Sequence, residues 1–308
     1  MTRPVSIAVA TCNGAPYIRQ QLQSLYGQTL APAEIVVCDD RSDDGTAAIL
    51  QEEAAAGRIR LFENPQRLGV IANFQRAVSC CQPGNNIALC DQDDVWAEEK
   101  LATNSLWLQA AEDRKTGPAL SFSDLALTDA TGHLYAGSFW KILRIRPEKE
   151  RLQSLLFGNF LTGCTLLMNP EMRRCFEEMS PGAAPMHDAW LGLIAFSFGS
   201  YGYSPHPLVR YRQHGGNVTA ATNRQVGLRE KIADNLAQFR GNRDYLAPQI
   251  RMAKAFLALY CDRLSPLHRQ QLSDFCQLES ASWITKKALS LTARSYRLRD
   301  ALKLPPAP

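Results

Sequence analysis

Asp91, Asp93 and Asp94 stand within four positions of one another, directly behind the apolar run Ala88-Leu89-Cys90. Carboxylates that close repel unless a cation lies between them, and all-oxygen donors suit a hard divalent ion such as Mg²⁺ or Mn²⁺. In an extended chain, residues two apart point the same way, so Asp91 and Asp93 can share one pocket while Asp94 begins a turn. The same residues also suit a solvated turn that caps the helix after Val95. A second acidic group, CDDRSDDGT at 38–46, reads in its latter part as a turn and cap, with Ser42, Asp43, Asp44 and Gly45 ahead of a helix starting at Thr46. Asp39 and Asp40 are not consumed by that turn, and a carboxylate can accept a hydrogen bond from the N3–H of a pyrimidine ring. A third group lies far along the chain: His187, Asp188 and Trp190, then the basic run from Arg210 that carries His214 before Gly215-Gly216. A lone histidine such as His187 most often belongs to the core or the surface. Asp188, at a helix start, can cap that helix or act as a general base towards a hydroxyl. His214 can complete an oxygen-rich metal site or touch a phosphate.

Such residues work together only if the elements bring them together. The first half alternates short β-branched runs with helical patterns: VSIAVAT then 16–27, EIVVCDD then 45–57, RIRLFEN then 71–82, NIALCDQDD then 97–113. This alternation predicts an α/β domain with a mostly parallel sheet covered by helices. Three of the strands end in polar groups, at Thr11 and Asn13, at Asp39 and Asp40, and at Asp91 to Asp94. Ligands of open α/β sheets bind beyond the carboxyl ends of the strands, so these groups are expected to line one crevice. From 119 onward the pattern loosens into the strand-like ALSFSDLALTD, a helical segment near 148–158, the strand-like TGCTLLMN and an apolar helix from about Ala189 to Phe198, which together predict a mixed sheet. After Gln225 the pattern is helical.

In order, Thr11-Cys12-Asn13-Gly14, the run Asp39-Asp40-Arg41-Ser42-Asp43-Asp44-Gly45-Thr46, NPQRLGVIANF at 64–74, Asp91-Gln92-Asp93-Asp94-Val95-Trp96, His187-Asp188-Ala189-Trp190 and Gln213-His214-Gly215-Gly216-Asn217 resemble family 2 glycosyltransferases of the GT-A fold. The combination is most similar to the bacterial rhamnosyltransferase branch, and the resemblance spans about residues 5–219. It implies a GT-A catalytic domain over 1–223 and a helical basic extension over 224–308. The implied enzyme is inverting and uses a divalent metal. It moves a sugar from a dTDP- or UDP-sugar donor to a saccharide or lipid-linked saccharide acceptor in cell-surface polysaccharide synthesis. Thr11 and Asp40 would hold the base with Asp39 in support, and Asn13, Arg67 and Asp91 would lie by the nucleotide. Asp91, Asp93, Asp94 and His214 would form the metal site. Asp188 would be the catalytic base, with His187 and Trp190 on the acceptor or supporting side. Cys12 stands where Tyr or Phe is more usual, Cys90 where Ser is frequent and Arg67 where Asn is common.

Composition limits the alternatives. The chain has 308 residues, 45% of them hydrophobic, enough for a full core. No apolar run reaches the length of a membrane span and no signal-peptide pattern opens the chain, so a cytoplasmic protein is expected. The nine cysteines fall without C-x-x-C spacing, which disfavours a disulfide framework and a zinc site. The net charge of +4 divides unevenly, −4 over residues 1–223 and +8 over 224–308. In the tail, Ile284, Ala288, Leu291, Leu298 and Leu302 share one helical face, with Lys286, Lys287, Arg294 and Arg297 opposite or flanking. This stretch, 284–303, suits either an anionic membrane surface or ordinary helix packing. Nucleic acid is disfavoured, because the acidic body has no basic stripe. Asp91-x-Asp93-x-Val95 also fits the start of a haloacid-dehalogenase-type phosphatase, but that fold requires it on the first strand. A non-catalytic nucleotide-sugar-binding partner is the remaining alternative.

Overall fold

The computed structural model describes residues 3–215, 246–281 and 286. Strands β1 (Val5–Thr11), β2 (Glu34–Asp39), β3 (Arg60–Glu63) and β4 (Asn86–Asp91) lie parallel in the order β3-β2-β1-β4. Each leads towards a helix: α1 (Ile18–Tyr26), α2 (Thr46–Ala55), α3 (Val70–Cys80) and α4 (Lys100–Arg114). These are the alternating units expected from the sequence, with ends shifted by a few residues, as helix ends commonly are.

The strands read as unbroken apolar runs because both faces are covered. Val5, Ile7 and Val9 of β1 pack with Ile35 and Val37 of β2 and with Ile18, Leu22 and Leu25 of α1. The intervening Ala8 packs with Val36 and Cys38 against Phe74, Ala77 and Val78 of α3. Period-two alternation thus sorts one strand's side chains into two apolar layers. The α1 residues recur at the three- and four-residue spacing that gives a helix one buried face.

The second half of the sheet is mixed. Beyond β4 come β8 (Leu167–Met168), β6 (Ala119–Thr128), β9 (Ser200–Arg212) and β5 (Val95–Trp96), with β7 (Leu134–Ala136) paired to β6. β8 is antiparallel to both β4 and β6, and β9 runs parallel to β6, so β4, β6 and β9 all end on the same side. The thirteen-residue β9 is the element absent from the sequence reading. Gly202, Pro205 and Pro207 hide it, and the register with β6 shifts around Ser123, Asp124 and Ala126 to accommodate the prolines. Gly202 is required there, because a Cβ would overlap the Trp107 carbonyl of α4.

Helices α5 (Phe139–Leu143), α6 (Leu152–Phe157), α7 (Pro170–Glu177) and α8 (His187–Ser197) complete this half. The apolar helix expected from Ala189 is α8, two residues longer at its start, and TGCTLLMN is mostly a 3₁₀ turn ahead of the two-residue β8. Helices α9 (Ala247–Tyr260) and α10 (Pro266–Gln277) follow. Ile250, Phe256, Leu272 and Phe275 join the same apolar cluster as Trp190 and Phe198 of the body. Most of the amphipathic stretch 284–303 lies outside the described residues. Lys286, which is described, is buried and donates to the Glu279 carbonyl at 3.2 Å. No described helix is long and apolar enough to cross a membrane.

Candidate active site

Because β2, β1 and β4 are parallel neighbours in register, Thr11 lies beside Asp39 and Ala10 beside Asp91. Three strands therefore deliver their polar ends to one place. Thr11 Oγ1 donates to Asp39 at 2.7 Å, and Ser42 donates to Asp39 through its amide at 2.9 Å and its hydroxyl at 2.6 Å. Asp40 accepts from Asn64 Nδ2 at 2.8 Å, Leu68 N at 2.7 Å and Gly69 N at 2.9 Å. Asp39 is turned into this bonding network, while Asp40 and Thr11 line a cleft of about 860 Å³, counted out to its open mouth. Asn13 takes a different position: with φ of 54° it is exposed, and its Oδ1 accepts from Asp43 N at 2.9 Å. Arg67 is exposed at 3.3 Å from Asp43. Neither lines the cleft.

The acidic run after β4 splits its side chains between the cleft and the layer beneath. Asp91 and Asp93 line the cleft. Asp94 is fully buried, its Oδ1 accepts from Arg212 N at 3.0 Å, and its Oδ2 has no partner. Arg212 also donates from Nε to the Asp93 carbonyl at 2.8 Å, so the end of β9 clamps this loop. That placement brings in His214, whose Nε2 lies 2.7 Å from Asp93 Oδ2 and whose ring packs on Tyr17 with centroids 4.5 Å apart. Burial, then repulsion from Asp93 and Asp188, pushes the Asp91 carboxyl up to about 7. Burial, then repulsion from Asp93 and Asp91, holds Asp94 well above the usual range.

A divalent cation fits this donor set. One site gathers several carboxylates, two of them with raised affinity for positive charge, together with an imidazole and an orphaned buried oxygen. The tightest group by distance is Asp91, Asp94 and the Cys164 sulfur, all within 4.8 Å. Burial holds the Cys164 thiol well above its ordinary range, so it stays protonated and serves Asp94 as a neighbour. Asp91 and Asp93 are the acidic donors that line the cleft, with Asp94 beneath them and His214 joined to the group through Asp93.

Asp188 faces the same cleft from α8. Its oxygens accept from Asn159 Nδ2 at 2.8 Å, Ala189 N at 2.7 Å and Gly163 N at 3.2 Å. Burial outweighs these bonds and raises the carboxyl to about 7. His187, also on the cleft wall, lies between Phe74 and Phe176 with ring centroids at 4.4 and 6.2 Å, and burial lowers it to about 4. Neither of its ring nitrogens has a partner. Trp190 turns away from the cleft into the core, 5.2 Å from Phe256 of α9.

Sequence reasoning missed the residues that hold the walls together. Gln92 accepts from Cys12 N at 2.7 Å and donates to Cys12 O at 2.9 Å, tying the loop after β4 to the loop after β1. Gly14 leaves room for it, since a Cβ there would overlap the Gln92 amide. Gly163 plays the matching part opposite: its amide holds Asp188, and a Cβ would lie 2.5 Å from His187 Nε2. The sequence signal was only the presence of small or amide residues beside candidate acids.

A parallel half-sheet ending in carboxylates, joined to a mixed half that sets an aspartate across from them, is a nucleotide-sugar transferase fold of the GT-A class. S. aureus TarS 1–349, crystallised with UDP-GlcNAc, superposes with a TM-score of 0.56 at 14% identity, over 98% of this chain and 92% of that one. A mannosyltransferase of Pyrobaculum calidifontis in complex with GDP-Man and Mn²⁺ gives 0.54 at 19%, over 100% of this chain and 77% of that one. Residues 6–116 match the family model described as glycosyl transferase family 2. That segment, about a third of the chain, carries the glycosyl transferase family 2 pattern, and the chain is a glycosyltransferase. Among its relatives, dTDP-rhamnosyl transferase RfbG of Shigella flexneri is 25% identical over 225 residues, 69% of this chain and 74% of that protein. In this fold Asp91 ends the fourth strand of the chain, which removes the dehalogenase alternative.

Proposed function

We propose that the chain is an inverting, metal-dependent transferase that moves a sugar from a nucleoside-diphosphate donor to a hydroxyl of a saccharide or lipid-linked saccharide. The observation that carries this reading is the convergence on one cleft of Asp91 and Asp93, from the end of β4, and Asp188, from the start of α8. Thr11 and Asp40 would meet the base, with Asp39 holding Thr11 in place and Asn13 shaping the loop beside it. Arg67 at the lip would approach the nucleotide. Asp91, Asp93 and His214, with Asp94 beneath, would hold the divalent ion. When bound, that ion would stabilise the negative charge that grows on the diphosphate as the glycosidic bond breaks.

Asp188 supplies the other half of the reaction. Its carboxylate accepts the acceptor hydroxyl's proton while the acceptor oxygen bonds to the anomeric carbon and the nucleoside diphosphate leaves from the opposite side, inverting that centre. A carboxyl at about 7 is matched to this task near neutral pH. His187, held neutral by burial, offers an imidazole to a sugar or acceptor hydroxyl. Trp190 supports α8 from behind.

The donor proposed is a dTDP- or UDP-sugar, with L-rhamnose favoured by the motif order and by the similarity to RfbG. The reading places residues 1–223 as the catalytic unit and 224–308 as its helical extension, working at the cytoplasmic face of a bacterial membrane in cell-surface polysaccharide synthesis. A donor screen by thermal shift with Mn²⁺ present tests it. One nucleotide sugar should raise the midpoint by several degrees, and Asp93→Ala should abolish the shift. Equal response to every nucleotide sugar, or a shift that survives the substitution, would overturn the assignment.

A further inference from the structure

The segment between β6 and α6 carries a surface that the transferase chemistry does not use. Leu134, Tyr135 and Leu143 are 52%, 42% and 39% exposed. Large apolar side chains grouped at that level in one excursion mark an interaction surface more often than isolated ones do. Lys141, Arg144 and Arg146 are exposed among them, and among the described residues none of the three has a side-chain hydrogen bond or ion pair. Lys149 and Arg151 extend the basic run; Glu148 is the exposed acid within it, and Glu150 is buried.

The fold puts the start of this segment near the mouth of the cleft. β6 ends on the same side of the sheet as β4, and the excursion leaves from that end. β7 pairs back onto Leu127 and Thr128, and the start of α5 is tied to β6 by the Trp140 amide donating to Asp124 at 3.0 Å. Gln213 N donates to the Thr128 carbonyl at 2.9 Å, and the Tyr135 hydroxyl contacts the Gln213 side chain, next to His214. Leu134 and Tyr135 thus flank the strand end that borders the active site, and α5 with the exposed cations continues from them along β6.

We propose that residues 134–146 dock on the surface of an anionic phospholipid bilayer, setting the cleft against the membrane. Charge complementarity selects the occupant: unpaired cations interleaved with apolar side chains match a negatively charged headgroup layer over hydrocarbon. An acidic protein would leave Leu134 and Leu143 without a counterpart. This stretch is distinct in sequence from the tail at 284–303. It rests on the exposed side chains and not on the identity of donor or acceptor, though it would bring the cleft to a lipid-linked acceptor.

The test is vesicle binding by the full chain, without donor, acceptor or metal, so that its failure leaves the transferase reading untouched. Vesicles of phosphatidylcholine with 30% phosphatidylglycerol, roughly the anionic fraction that attracts polybasic surfaces, should bind the protein, and pure phosphatidylcholine should not. The triple variant Lys141→Glu, Arg144→Glu, Arg146→Glu should bind on the order of 100-fold more weakly, while its thermal midpoint and its turnover of a water-soluble acceptor are retained. Leu143→Trp should show a blue shift in emission on the anionic vesicles relative to the parent. Parental binding by the triple variant, equal binding to neutral vesicles, no binding by the parent, or an unshifted Leu143→Trp emission would each overturn the proposal.

Discussion

Asp188 sits in the first turn of α8, where a helix dipole favours negative charge, yet burial raises its carboxyl to about 7. The raised value has a direction in two measurements. For activity, kcat/KM should fall as pH drops below about 7 and the base becomes protonated. Asp188→Asn should cost on the order of 100- to 10,000-fold and remove that limb. For stability, a carboxyl whose folded pKa lies above its unfolded one contributes fully below the unfolded value, and the contribution is lost as pH rises through about 7. The midpoint of the parent should therefore decline between pH 5 and 8 more steeply than that of Asp188→Asn, which calorimetry on the metal-free proteins would read. Gln92 makes a second residue-scale case. Gln92→Leu removes both bonds to Cys12 and leaves a carbonyl and an amide unsatisfied, at about 1–3 kcal/mol each. Donor KM should rise, because the walls carrying Thr11 and Asp91 lose their common tie.

At the scale of elements, the site depends on two close approaches. The 3₁₀ turn at Gly163–Thr165 must pass against the start of α8, where Gly163 both donates to Asp188 and admits the His187 ring. Gly163→Ala should lower the midpoint by about 3–10 °C, from an overpacking cost of about 1–3 kcal/mol. It should also reduce kcat more than donor affinity, since Gly163 holds Asp188 and the proposed donor contacts are Thr11, Asp40 and Asp91. Titration with a labelled nucleotide separates the two effects. β9 acts at the same scale: it is a strand, a clamp through Arg212 and the carrier of His214, so one element closes the sheet and completes the acidic site.

For the whole molecule, the question is how the C-terminal helices relate to the catalytic body. Trp190, beside the proposed base in sequence, packs on Phe256 and Tyr260 and joins α8 to α9. Trp190→Ala should cost about 3–5 kcal/mol, with earlier proteolysis in α9 and α10 than in the sheet. Metal removal acts at this scale too. A chelator should abolish transfer, Mn²⁺ or Mg²⁺ should restore it, and the ion alone should raise the melting midpoint by relieving repulsion among Asp91, Asp93 and Asp94.

The sequence by itself determined the parallel half of the fold and the identity of the acids. Strands covered on both faces must be apolar throughout, and a strand that ends at a ligand crevice must change abruptly to polar residues, so both features are visible in a linear string. Asp40, Asp91 and Asp93 were legible as candidates for that reason, and Asp188 from its place at a helix start. Only the tertiary structure decided which of them share a wall, that Asp94 lies beneath the cleft, that Asn13 shapes a loop and that Trp190 faces the core. It also revealed β9, whose prolines erase the alternating pattern that would announce a strand. Those outcomes depend on register, on burial and on contacts more than a hundred positions apart in the chain, such as His214 on Asp93. No local spacing encodes them.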